Sequence, residues 1–219
     1  MKQHPPLIKF YFETQKKYDG CIIACEIGSF FEILEIDGVG FAKEAADILD
    51  IVLTRKNKSD KDSPYMAGFP VASAKGYFKK LAEAGKTVIV ITQDVRGRKT
   101  DKNKSVGRKI SQIISPGTIF DLPDYEKNYL CSIYEDNEFY GVSAVDVTTG
   151  EIIVTELSKN STFDLLSAIN PSEFLISSNF SSFELLNKKP FHNLGSTTIK
   201  NLSSASIVLS SVYGIDNPT

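Results

Sequence analysis

An aromatic and an acidic side chain, Phe30 and Glu32, lie two positions apart, and together they offer the chemistry of a binding face. The surrounding segment 21–36 predicts β-strand with one glycine break, and side chains alternate between the two faces of a strand. Phe30 and Glu32 therefore share one face, whereas Phe31 and Ile33 on the other face suit a core. An exposed ring beside a carboxylate is unfavourable unless something binds there. The alternative is that Phe30 is ordinary core and Glu32 lies at a solvated edge.

Composition narrows the classes of function. The chain has 219 residues, 42% of them hydrophobic and 24% charged, which is enough for one large or two small domains. Its three cysteines and two histidines show no zinc-site spacing, which predicts a reduced, metal-free, cytoplasmic protein. No apolar stretch reaches the length of a membrane span, and the N-terminus lacks a signal-peptide pattern. No nucleophile with a partner histidine can be identified, so we expect no enzymatic activity in this fragment.

Charge is distributed unevenly along the chain. Residues 1–120 hold 20 Lys and Arg against 14 Asp and Glu, whereas residues 121–219 hold 5 against 13. This split predicts two domains with different partners, one over 1–120 and one over 121–219. The basic half carries the footprint of a polyanion-binding surface, while the acidic half is not expected to touch a phosphate backbone.

Hydrophobic periodicity predicts the elements that must position Phe30 and Glu32. A helix follows Pro5 and Pro6 and ends at Gly20, and it leads into the strands on either side of Gly28. The further predictions for the first half are a helix over 41–50, a strand over 51–54, a polar loop over 55–63, a helix capped by Ser73 and running to Glu83, a doubly covered strand over 87–92, an exposed basic loop over 96–109 and a strand over 110–114.

The second half has the pattern of a compact α/β domain. Three hairpin strands, a helix and a fourth strand are predicted over 129–134, 140–146, 151–156, 162–169 and 174–176, followed by helices over 181–186 and 199–210. This order is compatible with a ribonuclease H-like fold, whose nuclease chemistry needs several carboxylates that converge on metal ions. The predicted strands 129–134 and 174–176 contain no acid, so we do not expect a two-metal nuclease.

Four segments of the first half occur in the order found in one protein family. They are Gly28-Ser29-Phe30-Phe31-Glu32, residues 47–55, Met66-Ala67-Gly68-Phe69-Pro70, and residues 108–118. They resemble Gly-Asp-Phe-Tyr-Glu, Leu-Leu-Asp-Ile-x-Leu-Thr-Lys-Arg, Met-Ala-Gly-Ile-Pro and Arg-Lys-Val…Thr-Pro-Gly-Thr of the MutS family of DNA mismatch-repair proteins. Residues 128–130, 146–150 and 170–173 look like the connector domain of that family. The chain departs from the pattern at Ser29, where the family has an acid, and at Val71 and Ala72, where it has Tyr-His.

The resemblance implies a two-domain α/β protein. A mixed-sheet mismatch-recognition domain over 1–120 would be followed by a ribonuclease H-like, non-catalytic connector domain over 121–219. The function it implies is recognition of mispaired or unpaired bases in double-stranded DNA by aromatic insertion into the minor groove and kinking. The alternative is a MutS-like adaptor that binds branched or other DNA structures without mismatch sensing.

The resemblance also implies roles for individual residues. Phe30 would be the wedge that stacks on the mispaired base, and Glu32 would hydrogen-bond that base. Glu32 would favour binding of a base that offers it a hydrogen-bond donor, or it would bind the base in its protonated form. Ile27 would pack behind the wedge, and Met66 and Gly68 would shape the adjacent loop. The phosphates of the DNA would be held by Arg55, Lys56 and Lys75.

The implied partners and cofactors lie mostly outside this chain. Mismatched double-stranded DNA is the expected ligand, with a homodimer in the full-length protein and a MutL-type partner that binds through the connector domain. ATP and Mg²⁺ are expected only in an ATPase domain beyond Thr219, and none in this fragment. We expect no membrane association and a location in the bacterial cytosol.

Overall fold

The computed structural model describes residues 5–57, 59–60, 62–94, 107–119 and 127–193. The chain divides into two compact units, the first extending to Asn128 and the second containing most of the chain from Tyr129 onward. The predicted boundary between residues 120 and 121 lies outside the described residues, as does the helix predicted over 199–210.

The first unit is a mixed sheet with helices on both faces. Its described elements are α1 (Pro6–Lys17), β1 (Ile22–Ile27), β2 (Phe30–Ile36), β3 (Val39–Gly40), α2 (Ala42–Leu49), β4 (Thr54–Arg55), β5 (Tyr65–Pro70), α3 (Ala74–Glu83), β6 (Val88–Asp94) and β7 (Gly107–Ile114). The strands follow the order β4-β5-β2-β1-β6-β7, and β3 pairs with β2. Strand β1 is antiparallel to β2 and parallel to β6. The strand order places β2 near the centre of the sheet.

A buried hydroxyl group on helix α1, that of Tyr11, forms hydrogen bonds with two strands of the sheet. The hydroxyl of Tyr11 donates to the carbonyl oxygen of Ile23 at 2.8 Å and accepts the backbone N–H of Leu34 at 2.8 Å. Burial raises the pKa of this phenol, so the hydroxyl keeps its proton. The helix thereby fixes the middle of both strands that lead to Phe30, while α2 and α3 pack on the opposite face of the sheet.

The structure confirms the helices and strands predicted around Phe30 and corrects the segments that follow. The strand predicted over 51–54 is wrong, since only Thr54 and Arg55 enter a strand. Asp50 adopts a left-handed φ of 52° that ends α2, and the N–H of Ile51 bonds back to the carbonyl oxygen of Ala46 at 3.1 Å. Arg55, predicted in the polar loop, is thus the last residue of β4.

Two further local predictions need correction. The strand β5 was not predicted, because its Met-Ala-Gly-Phe-Pro sequence contains two residues that weaken a strand signal. Ser73 does precede α3, but its side chain makes no capping hydrogen bond there and instead donates to Pro70 at 3.4 Å. The reason is that the chain enters α3 through the 3-10 turn Val71–Ser73. The basic loop predicted over 96–109 lies outside the described residues up to 106, and its end belongs to β7.

The second unit is a five-stranded mixed sheet within the described residues. Its elements are β8 (Tyr129–Asp136), β9 (Phe139–Asp146), β10 (Glu151–Ser158), α4 (Lys159–Ile169), β11 (Glu173–Ile176) and β12 (Phe191–Asn193), in the sheet order β10-β9-β8-β11-β12. The two predicted hairpins are confirmed, and β11 runs parallel to both β8 and β12. The helix predicted over 181–186 is only a 3-10 turn, Phe183–Leu186. The strand β12 was not predicted.

Strands β8 and β11 are longer than predicted and contain acids. Glu135 and Asp136 end β8, and Glu173 begins β11, so the expectation of acid-free strands is wrong. The acids at these positions have structural partners. Glu173 is buried and bonds the ring of His192 on β12 at 2.9 Å, which raises the pKa of that histidine. In the described part of the chain, no group of three or more His, Cys, Asp or Glu side chains could hold a metal ion.

The carboxylate of Glu135 fastens the end of β8 to the turn before the 3-10 segment. It accepts the backbone N–H of Ser181 at 2.6 Å, the Ser181 hydroxyl at 2.9 Å and the Ser182 hydroxyl at 2.8 Å. Burial disfavours the charged form of Glu135, but these hydrogen bonds outweigh it and lower the pKa to about 2.

We therefore expect Glu135→Gln to destabilise the second unit at neutral pH, by an amount that shrinks in acid. A carboxyl group with a lowered pKa stabilises the fold above its ordinary value of 4.5, and that contribution is lost as the pH falls toward about 2. Urea midpoints of both proteins between about pH 7 and pH 3 measure the difference. Glu138→Gln, in an exposed turn of the same hairpin, is the matched control. A difference that stays constant over this range contradicts the charge-based explanation.

Candidate nucleic-acid interface

The side chain of Phe30 is exposed at the tip of a tight hairpin. Phe30 is 47% exposed, whereas its neighbours Phe31 and Ile33 are 5% and 0% exposed. The predicted division of the strand into two faces is therefore confirmed, and the interpretation of Phe30 as core is wrong. Phe31 packs edge-on against Phe78 of α3 at 5.1 Å between ring centroids, on the far side of the sheet.

The backbone around Phe30 is fixed from both sides. Ile27 pairs with Phe30 at the turn and packs partly buried against the α1-side core; its support of the ring stays a prediction. The carbonyl oxygen of Ser29 accepts the N–H of Val71 at 2.9 Å, which ties the tip of the hairpin to the end of β5. The ring of Phe30 is thus carried by a hydrogen-bonded hairpin rather than by a loop.

Glu32 lies one row further along the same face and is bonded to a lysine. Cross-strand pairing sets Cys25 on one side of Glu32 and Gly68 on the other. The carboxylate forms an ion pair with the ammonium group of Lys56, and the two side chains are only 12% and 26% exposed. The alternative of a solvated edge position for Glu32 is therefore wrong.

Gly68 keeps space open beside this carboxylate. A Cβ atom at position 68 would lie 3.3 Å from the carbonyl oxygen of Phe31 and 3.9 Å from the Cγ atom of Glu32. Met66, two residues earlier on β5, pairs with Leu34 and packs against the α1-side core. The two residues predicted to shape a loop therefore belong to a strand, in which Gly68 pairs with Glu32 and Met66 pairs with Leu34.

Arg55 lies on the opposite face of the sheet from Phe30. It pairs with Tyr65, and its guanidinium group stacks 4.3 Å above that ring while donating to the carbonyl oxygen of Ser63 at 2.9 Å. Lys56 follows the end of β4, and its ammonium group bonds Glu32 on the face of Phe30, so Arg55 and Lys56 diverge. Lys75 lies on α3, which also packs on the opposite face. The structure thus joins Ile27, Phe30, Glu32, Lys56, Met66 and Gly68 on one face and leaves Arg55 and Lys75 outside it; the predicted phosphate contacts stay predictions.

One residue beside Glu32 was not predicted: Cys25 pairs with it across the hairpin and lies fully buried in the α1-side core beneath this face. Burial raises the pKa of its thiol, and the positive charge of Arg108 on β7 opposes that shift without cancelling it. The thiol beside Glu32 is therefore neutral, so it adds no second negative charge to the binding face. The signal that would have found it is strand alternation: a two-residue turn at positions 28 and 29 sets Cys25 directly opposite Glu32.

Comparison with protein families matches nearly the whole chain. A family model described as MutS domain I matches residues 5–122, and one described as MutS domain II matches residues 128–215. All the predicted site residues fall within the first match. In the described parts of the chain, no helix is both long enough and apolar enough to traverse a bilayer.

Proposed function

Because this chain belongs to the MutS family, and so has a general role in DNA mismatch repair, we propose that it recognises mispaired or unpaired bases by inserting Phe30 into the minor groove of double-stranded DNA. The observation that carries the proposal is the half-exposed ring of Phe30 at the tip of a hydrogen-bonded hairpin. A large exposed aromatic group held in this way is suited to stacking on a base.

The selectivity of such a wedge comes from the DNA. Inserting a side chain between base steps costs a few kcal/mol of lost stacking and kinks the duplex. A mispaired or unpaired base is already poorly stacked and more deformable, so the cost is smaller there. The minor groove distinguishes few base pairs by hydrogen bonding, which leaves deformability as the main signal.

Glu32 is suited to specificity rather than affinity. Phosphates repel a carboxylate, so Glu32 does not strengthen binding to every duplex. It lies on the same face as Phe30, two residues along the strand, where a base stacked on the ring would present its edge. A hydrogen-bond donor on that base would find an acceptor in Glu32. In a matched base pair no base is stacked on the ring, so Glu32 gains no such bond.

The wider assembly is also part of the proposal. We infer a homodimer, a MutL-type partner bound through the second unit, and an ATPase domain that holds ATP with Mg²⁺. The two matched domains themselves would bind DNA and transmit signals without catalysing a reaction, in the bacterial cytosol. What supports the proposed binding to DNA is the match to MutS domains I and II.

The test compares matched, G·T-mismatched and branched duplexes by fluorescence anisotropy, with the protein at its natural length. We expect a preference for the mismatch of roughly 5- to 30-fold, because easier insertion saves about 1–2 kcal/mol. Measurement at two salt concentrations separates this preference from phosphate binding, which weakens with salt for every duplex. Equal affinity for matched and mismatched DNA together with tighter binding of branched DNA would contradict the proposal and favour an adaptor.

A further inference from the structure

The ammonium group of Lys56 contacts a specific atom of Glu32. It bonds Oε2 of the carboxylate, and within the described residues no hydrogen-bond donor contacts Oε1. The carboxylate therefore has one oxygen engaged by the protein and one available to a ligand. Both side chains are largely shielded from water, which strengthens the pair and restricts its rotation.

The backbone of Lys56 is held in place by its neighbours. Its N–H donates to the carbonyl oxygen of Pro64 at 2.9 Å, and the next N–H, of Asn57, donates to the Ser63 hydroxyl at 2.8 Å. In the sheet, β5 lies between β4 and β2, so the lysine side chain reaches across β5 to Glu32. Gly68 on β5 has no side chain to compete for the space beside the carboxylate.

These observations favour a lysine that holds the carboxylate over a lysine that binds a phosphate. A phosphate contact needs an ammonium group that is free to leave its partner, whereas Lys56 is only 26% exposed and already bonded. Lys43 gives a comparison. It forms an ion pair with Glu35 of β2 at 2.6 Å on the opposite face, and its side chain is 52% exposed.

We propose that Lys56 is a positioning residue for Glu32, and that it remains on Oε2 when DNA binds. It would aim Oε1 at the base stacked on Phe30 and offset the repulsion between the carboxylate and the phosphates. Lys56 thus sets mismatch specificity, rather than the general affinity for DNA. This inference rests on the proposed function and replaces the phosphate contact that the sequence suggested for this residue.

The experiment is a double-mutant cycle of Lys56→Met and Glu32→Gln in the protein at its natural length, using matched and G·T-mismatched duplexes. We expect Lys56→Met to remove most of the mismatch preference, a loss of roughly 5- to 10-fold that matches one base hydrogen bond. In the Glu32→Gln background, the same substitution should leave the preference unchanged. The slope of log affinity against log salt should also stay unchanged, because no phosphate contact is lost.

Two further variants show that the effect belongs to the pair. Lys56→Arg keeps a cation beside the carboxylate and should retain most of the preference. Lys43→Met breaks the corresponding pair on the opposite face and should change neither the preference nor the salt slope.

The outcomes separate this inference from the function on which it rests. Equal losses for both duplexes, with the salt slope reduced by about one, would make Lys56 a phosphate contact and overturn the inference alone. An unchanged preference in Lys56→Met would also overturn it. A wild-type protein without mismatch preference would overturn the proposed function and this inference together.

Discussion

Replacing Phe30 with alanine is expected to abolish the preference for mismatched DNA while leaving the melting temperature of the protein almost unchanged. Stacking of a base on an aromatic side chain contributes about 1–3 kcal/mol, and this contribution is lost for the mismatched duplex. The residual, salt-dependent binding to any duplex should persist, because the cations on the surface are untouched. Stability should change by less than about 1 kcal/mol, because substitutions at exposed positions have small effects.

The adjacent phenylalanine supplies the matched control. Phe31→Ala removes the same atoms from the neighbouring position, but Phe31 is 5% exposed and packs against Phe69 and Phe78. Its loss should cost about 3–5 kcal/mol of unfolding free energy. Thermal denaturation and anisotropy of both variants give the comparison. A large fall in stability for Phe30→Ala, or a mismatch preference that survives it, would contradict the role of Phe30 as wedge.

The sequence predicted the face of Phe30 because the relevant rule is local. Alternation along one strand assigns Phe30 and Phe31 to opposite faces without knowledge of the partner strands. Helices α1 and α2 were predictable for the same reason, since their apolar spacing and their flanking proline and glycine signals lie within a few residues. The resemblance in the first half added the expected chemistry of the face.

The partners of the site residues depend on contacts that the local pattern does not contain. Arg55 and Lys56 are adjacent cations in the sequence, and only the pairing of Arg55 with Tyr65 and the bond of Lys56 to Glu32, just beyond β4, show that they reach opposite faces. The bond between Lys56 and Glu32 joins residues 24 positions apart, and strand β5 that separates them was not predicted. Propensity underestimated β5 because Gly68 and Pro70 are accommodated by pairing with Glu32 and Phe30 of β2, while β4 pairs only with the first two residues of β5.

The same limit explains the acids of the second unit. The predicted strands ended at Tyr134 and began at Phe174, because acidic residues and turn residues have low strand propensity. In the structure, Glu135 and Glu173 extend these strands, since each carboxylate has a bonding partner from a segment far along the chain. Tertiary hydrogen bonds thus override propensity at the ends of strands, where predictions of element boundaries are weakest.

A large effect on stability is also expected from Gly40→Ala, at a position that supports β2 from its far end. Gly40 pairs with Glu35 and has a φ of 102°, a conformation that L-residues rarely adopt. An added Cβ would lie 2.1 Å from the carbonyl oxygen of Leu34 and 3.0 Å from the Cα atom of Glu35. Both are backbone atoms of a central strand, so the clash cannot be relieved by a side-chain rotation.

We expect this variant to lose about 3–5 kcal/mol of unfolding free energy, from the strained backbone and from the displaced strand together. Gly38→Ala is the matched control, because its φ of 77° is also positive but nothing lies within 4 Å of the added Cβ. That variant should lose only about 1–2 kcal/mol. Urea unfolding of both proteins measures the difference. Since β2 carries Leu34, Glu32 and Phe30 in turn, Gly40→Ala should also weaken mismatch preference, whereas Gly38→Ala should not. Equal and small losses for the two variants would mean that β3 can withdraw from β2 without disturbing the strand that presents Phe30.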